Sequence, residues 1–309
     1  MMQLLLIFVA LIGGYLCKNI RINNNILNKF LSTSVLLILV VMGYEFGSSS
    51  SDMFIELKLL SKIILVSVVT LFLLNYISIY LYARFTRVKD ATSSSSTKSS
   101  GLYTTISSLY KYFMESGKYI LCVFLGTCTG YFLKSPLTHL SLIINLILLV
   151  ILFIIGYQLK QQNVSLRSIL TNKTGITIAG LIILSSIVAG IISAKILGID
   201  IRTGVVLSSG YGWYTLSGIL IGQLAPHGFG TAAFFIDFIR EIIAIILISA
   251  IGKKHPLPVV AYSGATALDF TLPIIKVNLS ESMVPVAITS GMILTMLVPA
   301  VIPLFWAIL

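Results

Sequence analysis

Residues 231–252 read TAAFFIDFIREIIAIILISAIG, an apolar run that is long enough to cross a bilayer and yet carries three charged side chains. A hydrocarbon core of about 30 Å takes about 20 predominantly apolar helical residues to cross. Ionisable side chains at that depth are costly, and they usually face a bundle interior or a water-filled path for ions, protons or substrates. Glu241 therefore indicates a functional site, together with Asp269 in the later run SGATALDFTLP. The alternative is local neutralisation within a helical cluster of Asp237, Arg240 and Glu241.

The composition of the whole chain is that of a polytopic membrane protein. Of its 309 residues, 57% are hydrophobic and only 10% are charged, and several uncharged runs are long enough to span a bilayer. The net charge of +11 is spread over short connections, as expected for orientation by positive loops rather than for binding of nucleic acid. The histidines and cysteines lack metal-ligand spacing, and no ATP-binding P-loop is encoded. We therefore expect no enzyme, no metal and no cofactor.

Ten apolar segments predict an all-α membrane protein. Basic connections mark the cytoplasmic side, which leaves room for one full crossing between Asp200 and Lys253. We therefore predict eight transmembrane helices with both termini outside, and two broken or re-entrant segments at 203–224 and 257–275. The glycines, serines and prolines of these two segments suit an irregular backbone that is surrounded by protein. Ten full crossings are the alternative. The segments lie at about 3–17, 30–46, 57–82, 117–134, 139–157, 174–197, 203–224, 231–252, 257–275 and 283–308.

A serine-rich stretch and an internal repeat divide the chain. Residues 84–116 contain basic residues and the run TSSSSTKSSG, which predicts a flexible cytoplasmic linker. The linker separates a first membrane repeat (1–83) from a second part (117–309) that holds the second repeat and the substrate- and ion-site segments. A glycine-tyrosine pair recurs at nearly the same offset in the first and fourth helices, and again in the second and fifth. Three helices per unit predict an inverted repeat, which is a common design in secondary transporters.

Over nearly its whole length, the chain resembles the bacterial lysine exporter (LysO-type) family. The resemblance is specific from about residue 205 to 300, weaker in the first six helices and absent from the serine-rich linker. It implies an inner-membrane exporter of L-lysine and of the toxic analogue thialysine, with eight crossings and both termini outside. It also implies that an intramembrane glutamate and aspartate, which by motif are Glu241 and Asp269, are required for transport. The runs that carry it are SGYGWYTLSG (209–218), AAFF (232–235), REIIA (240–244), GATALDFTLP (264–273) and MVPVAI (283–288).

The two carboxylates suggest how such an export is driven. A carboxylate supplies a counter-charge and charge-assisted hydrogen bonds to the lysine ammonium groups, and a desolvated carboxylate exchanges a proton more readily near neutral pH. Our hypothesis is that Glu241 and Asp269 alternate between bound lysine and bound proton, which gives lysine/proton antiport. The broken stretch 208–218 would present backbone groups to the substrate's α-carboxylate and α-ammonium.

Aromatic side chains in that stretch, including Tyr211, either contact the cationic side chain of the substrate or simply pack. The predicted substrate-binding residues are Ser209, Gly210, Gly212, Trp213, Tyr214, Ser217, Thr266 and Thr271.

Two other functions are compatible with the same residues. A cation/proton exchanger, for example for sodium, would use the same acids, and the carboxylates alone do not separate it from a lysine antiporter. A nontransporting scaffold would leave the buried acids and the broken helices unexplained. The expected partners are L-lysine, protons and the lipid bilayer, and the oligomeric state is unknown.

Overall fold

The computed structural model describes residues 2–17, 24–49, 53–86, 101–134, 140–161, 171–225 and 228–309. Within these ranges the protein is helical and contains no β-strand, which confirms the predicted all-α class. The elements, in chain order, are α1 (Met2–Leu16), α2 (Asn24–Ser49), α3 (Met53–Thr86), α4 (Gly101–Leu133), α5 (Leu140–Gln161), α6 (Lys173–Leu197), α7 (Ile201–Leu207), α8 (Tyr214–Leu224), α9 (Phe229–Ile251), α10 (Pro256–Ser263), a 3-10 turn (Gly264–Leu268), α11 (Leu272–Asn278) and α12 (Met283–Ile308).

Several helices have the length and composition of membrane spans. Within the described residues, four stretches are both long and apolar enough to cross a bilayer by themselves: Lys29–Ser48, Leu57–Thr86, Lys173–Leu197 and Met283–Ile308. Helix α9 has 23 residues and is therefore about 35 Å long, but it carries the three charges of residues 237–241. These lengths confirm a polytopic membrane protein.

The predicted linker at 84–116 is helical at both of its ends. Helix α3 continues through Thr86, and α4 begins at Gly101, ahead of the apolar run at 117–134. The serine-rich centre of the linker, residues 87–100, lies outside the described residues.

Helices α2 and α4 pack together through glycines spaced four residues apart. A Cβ on Gly43 would overlap the carbonyl of Val123, and Gly47 meets α4 in the same way one turn later. Gly126 and Gly130 of α4 in turn lie against carbonyl groups of α2. Small residues at this spacing allow two membrane helices to approach closely.

Two further pairs complete this part of the protein. Gly14 of α1 lies against the Phe153 carbonyl of α5. Asn75 of α3 accepts a hydrogen bond of 2.6 Å from the Ser185 hydroxyl of α6. Suppose that α1, α2 and α3 correspond to α4, α5 and α6. The α1–α5 pair then corresponds to the α4–α2 pair, and the α3–α6 pair corresponds to itself. This is the pairing expected of two related three-helix units, whose inverted orientation stays a prediction.

The two segments predicted to be broken are each interrupted. Helices α7 and α8 have 7 and 11 residues and are separated by residues 208–213. Helices α10 and α11 have 8 and 7 residues and are separated by the 3-10 turn and residues 269–271. At about 1.5 Å per residue, none of these four helices reaches across about 30 Å of hydrocarbon alone. Helix α9 packs against both α8 and α10, so the charged helix adjoins both interruptions.

Candidate transport site

The two interruptions meet each other. The Ala265 backbone nitrogen of the 3-10 turn donates a hydrogen bond of 2.9 Å to the Tyr211 carbonyl in the first interruption. Gly264 has φ +64, and a Cβ there would overlap that same carbonyl. Gly212 has φ +97 and Tyr211 itself has φ +49, a conformation that costs free energy in a non-glycine residue and that clusters at functional sites. The glycines at 212 and 264 therefore permit the close crossing of the two segments.

Asp237 of α9 holds the first interruption in place. Its Oδ1 accepts a hydrogen bond of 2.8 Å from the Gly212 backbone nitrogen, and its Oδ2 accepts one of 2.6 Å from the Ser217 hydroxyl. Gly210 has no room for a Cβ because the Asp237 carboxylate lies there. Three predicted substrate-binding residues are thus brought together, but around a carboxylate of the protein.

The sequence alone predicts no role for Asp237 beyond a neutralised helical cluster. Its contacts join residues 20 and 25 positions apart in the chain, which no local pattern reveals. The available signal was the spacing within α9. Residues four apart share a helix face, so Asp237 and Glu241 project from the same side of α9.

Three other candidates in the first break differ in their surroundings. The Ser209 hydroxyl is buried and donates to the backbone carbonyl four residues earlier, at 2.7 Å. The Tyr214 ring is buried and lies edge-on to Phe234 and Phe238, with centroids 5.4 and 5.5 Å apart. Trp213 is half-buried. The contacts of Tyr214 are those of a packed aromatic cluster.

Glu241 lies on α9 with an exposed fraction of 0%, and the preceding residue, Arg240, is 1% exposed. A fully buried carboxylate needs compensating interactions because transfer of a charge from water to a protein interior is unfavourable. Glu241 therefore occupies the kind of position that the apolar sequence around it predicts for an intramembrane acid.

The second interruption is held by a single carbonyl group. The Thr266 carbonyl accepts hydrogen bonds from the Asp269 nitrogen (3.1 Å), the Thr271 nitrogen (3.0 Å) and the Thr271 hydroxyl (3.0 Å). Thr266 and Thr271 are both buried, and the Thr266 hydroxyl donates to the Ser263 carbonyl at 2.8 Å. The two predicted threonines therefore shape the loop that carries Asp269.

Asp269 is exposed, in contrast to Glu241. Its Oδ1 accepts a hydrogen bond of 2.6 Å from the Phe270 backbone nitrogen. Glu241 is thus fully buried, whereas Asp269 is an exposed residue on a neighbouring element. Among the described residues, no group of three histidine, cysteine, aspartate or glutamate side chains is arranged to hold a metal ion.

Comparison with known proteins identifies the family. The family model described as "Lysine exporter LysO" matches residues 120–306, a range that contains every predicted site residue. The protein named "Lysine exporter LysO" from Escherichia coli (strain K12) is 38% identical over 194 residues, which cover 63% of this chain and 65% of that relative. The "Putative lysine exporter" of Haemophilus influenzae is 36% identical over 184 residues, which cover 59% of this chain and 94% of that relative.

The chain thus spans slightly less than two thirds of the length of the Escherichia coli relative. No solved structure matches it. Because the family model covers more than half of the chain, the protein belongs to the lysine exporter LysO family.

Proposed function

We propose that this protein is a secondary active transporter that exports L-lysine and analogues such as thialysine by proton antiport. The observation that carries the proposal is Glu241, a fully buried carboxylate on the helix that adjoins both broken segments. Discontinuous helices that meet within a membrane domain are a recurring form of substrate site in secondary transporters. The relatives that are named as lysine exporters support lysine as the substrate.

The different exposure of the two acids suggests different roles. Asp269 is exposed, so it meets the cationic substrate first on its side of the protein. Glu241 is buried and supplies the counter-charge within the low-dielectric interior, where a lone ammonium group is costly. When lysine leaves, a proton neutralises each carboxylate, and the empty site returns without a net buried charge.

The first test is lysine export by purified protein in proteoliposomes that are preloaded with labelled lysine, with and without an imposed proton gradient. We expect gradient-dependent flux in the native protein and at least about a hundredfold loss in Glu241→Gln and Asp269→Asn, because a neutral amide cannot exchange a proton. Glu281→Gln is the matched control, because Glu281 is an exposed acid between α11 and α12.

Normal lysine export by both site variants would refute the carboxylate mechanism. If correctly inserted protein moved no lysine but exchanged sodium for protons, the same acids would belong to a cation/proton exchanger and lysine would be the wrong substrate.

We propose further that the protein lies in the inner membrane with eight crossings and both termini outside, and that residues 1–83 and 117–309 contain inverted three-helix repeats joined by a cytoplasmic linker. The symmetric pairing of α1–α5, α2–α4 and α3–α6 supports this arrangement. It predicts that a single cysteine at Asp200 reacts with an impermeant thiol reagent from outside the cell and that one at Lys253 does not. Labelling of both from the same side would support ten crossings.

A further inference from the structure

Arg240 is a fully buried arginine at the crossing of the two broken segments. It lies on α9 between Asp237 and Glu241, with an exposed fraction of 1%. Its Nε donates a hydrogen bond of 3.0 Å to the Tyr262 carbonyl at the end of α10. Its guanidinium carbon lies 5.2 Å from the centroid of the Tyr262 ring. The backbone and the ring thus fix the orientation of the guanidinium group.

The two terminal nitrogens of this guanidinium group have unpaired N–H donors. Within the described part of the chain, Nη1 and Nη2 of Arg240 are buried and have no hydrogen-bond partner. The nearby acid Asp237 interacts with Arg240 through its charge, but its hydrogen bonds go to Gly212 and Ser217 and none joins it to the guanidinium group. Arginine stays charged in proteins, and buried charged groups are normally paired. The two terminal nitrogens therefore match an acceptor that comes from outside the described residues.

One of these nitrogens lies close to Gly264. A Cβ on Gly264 would lie 3.1 Å from Nη2 of Arg240 and would overlap the Tyr211 carbonyl. The guanidinium group therefore borders the contact between the 3-10 turn and the first interruption. This is the region in which broken membrane segments bind their substrates.

The chemistry of the substrate supplies the missing acceptor. A guanidinium group offers parallel N–H donors in a planar fork that fits the two oxygens of a carboxylate. Lysine has one carboxylate in addition to its two ammonium groups. Consecutive residues of a helix project about 100° apart, so Arg240 and Glu241 would contact two different groups of a bound molecule.

We propose that the Arg240 guanidinium binds the α-carboxylate of the exported amino acid and thereby selects an amino acid over a diamine. This inference rests on the proposed function, because it takes an amino acid as the substrate. Arg240 is closed to solvent here, so the carboxylate reaches it only when the two interruptions move apart. The first interruption then serves mainly to position this contact.

The test compares the export of three labelled compounds from proteoliposomes: lysine, lysine amide and 1,5-diaminopentane. Lysine amide and 1,5-diaminopentane lack a carboxylate. We expect the native protein to export lysine at least about tenfold faster than either analogue, given a bidentate charged contact. In Arg240→Gln we expect lysine flux to fall at least about tenfold while flux of the diamine is unchanged or higher. Arg240→Lys keeps the charge but not the fork, and we expect it to recover only part of the preference.

Arg202→Gln is the matched control. Arg202 is partly exposed and lies 3.3 Å from Asp200 and over the Trp306 ring, so we expect its variant to keep the native preference for lysine.

Several results would overturn the inference. One is equal export of lysine and lysine amide by the native protein, a comparison that does not depend on how well any variant folds. Another is an equal loss of lysine and diamine flux in folded Arg240→Gln, which would assign the arginine to internal ion pairing. Failure of the native protein to move lysine at all would instead refute the proposed function.

Discussion

The α2–α4 pair and the crossing of the broken segments both depend on glycine, but for different reasons. In α2–α4, Gly43 and Gly126 lie within continuous helices, where the absence of a side chain allows carbonyl groups of the facing helix to come close. At the crossing, Gly212 and Gly264 have positive φ values that other residues rarely adopt. The first use brings two helices together, whereas the second ends helices and turns the chain.

The difference separates a scaffold from a site. The paired helices satisfy their own backbone hydrogen bonds and need only surface complementarity. The interruptions expose backbone groups inside the protein, and these groups require buried partners such as Asp237. Substitutions at the crossing should therefore affect transport, whereas substitutions in the α2–α4 pair should affect stability alone.

The largest effect is expected for Gly264→Ala. The alanine Cβ would overlap the Tyr211 carbonyl, and the alanine backbone would have to adopt φ +64. That backbone conformation alone costs about 1–3 kcal/mol, before the steric overlap is counted. We expect lysine flux in proteoliposomes to disappear and the midpoint of thermal unfolding to fall. Gly180→Ala is the control, because Gly180 lies in α6 with open space around its Cβ position. Native flux in Gly264→Ala would show that the crossing tolerates rearrangement.

Ser217→Ala should have the next largest effect. It removes the 2.6 Å hydrogen bond to Asp237, and a hydrogen bond to a charged group contributes about 1.5–3 kcal/mol. We expect lysine flux to fall at least about tenfold, because about 1.4 kcal/mol corresponds to a tenfold change. Ser249→Ala removes only a hydroxyl that bonds within the same helix and should transport normally. Equal flux in the two variants would argue against a role for the Asp237 contacts.

A smaller effect is expected for Thr271→Val, which keeps the shape of the side chain but removes its hydrogen bond to the Thr266 carbonyl. A neutral hydrogen bond contributes about 0.5–1.5 kcal/mol. The carbonyl keeps two backbone donors, so we expect the position of Asp269 to loosen and lysine flux to fall a few fold. Thr177→Val, an exposed threonine that bonds within α6, serves for comparison. Unchanged lysine flux in Thr271→Val would contradict a positioning role.

The smallest effect on transport is expected for Gly43→Ala. Its Cβ overlaps the Val123 carbonyl of α4, and overpacking of this kind costs about 1–3 kcal/mol. Thermal unfolding in detergent should therefore occur at a lower temperature. The flux per correctly folded molecule should stay within about twofold, because α2–α4 contributes none of the proposed site residues. A selective loss of transport without loss of stability would place this pair within the transport cycle.

Much of this arrangement follows from local sequence features. Apolar runs fix the helical membrane class, and the glycines and prolines of 203–224 and 257–275 predict interruptions because they oppose a continuous helix. The rest depends on distant contacts. The link between Asp237 and the first break, the exposure of Asp269 and the unsatisfied donors of Arg240 all arise where segments 20 or more residues apart meet. Within one apolar helix, the sequence singled out Glu241 but gave Asp237 and Arg240 no role beyond local neutralisation.

The hydrogen bond from Ala265 to Tyr211 also has a mechanical consequence. Each interruption is a joint at which the direction of the chain can change, and this bond connects the two joints through their backbones. A rotation of α7 or α8 that moved the Tyr211 carbonyl would pull on the 3-10 turn and so shift the loop that carries Asp269. We therefore expect the two broken segments to move together while this bond is intact, and the bond to break when they separate to admit a substrate.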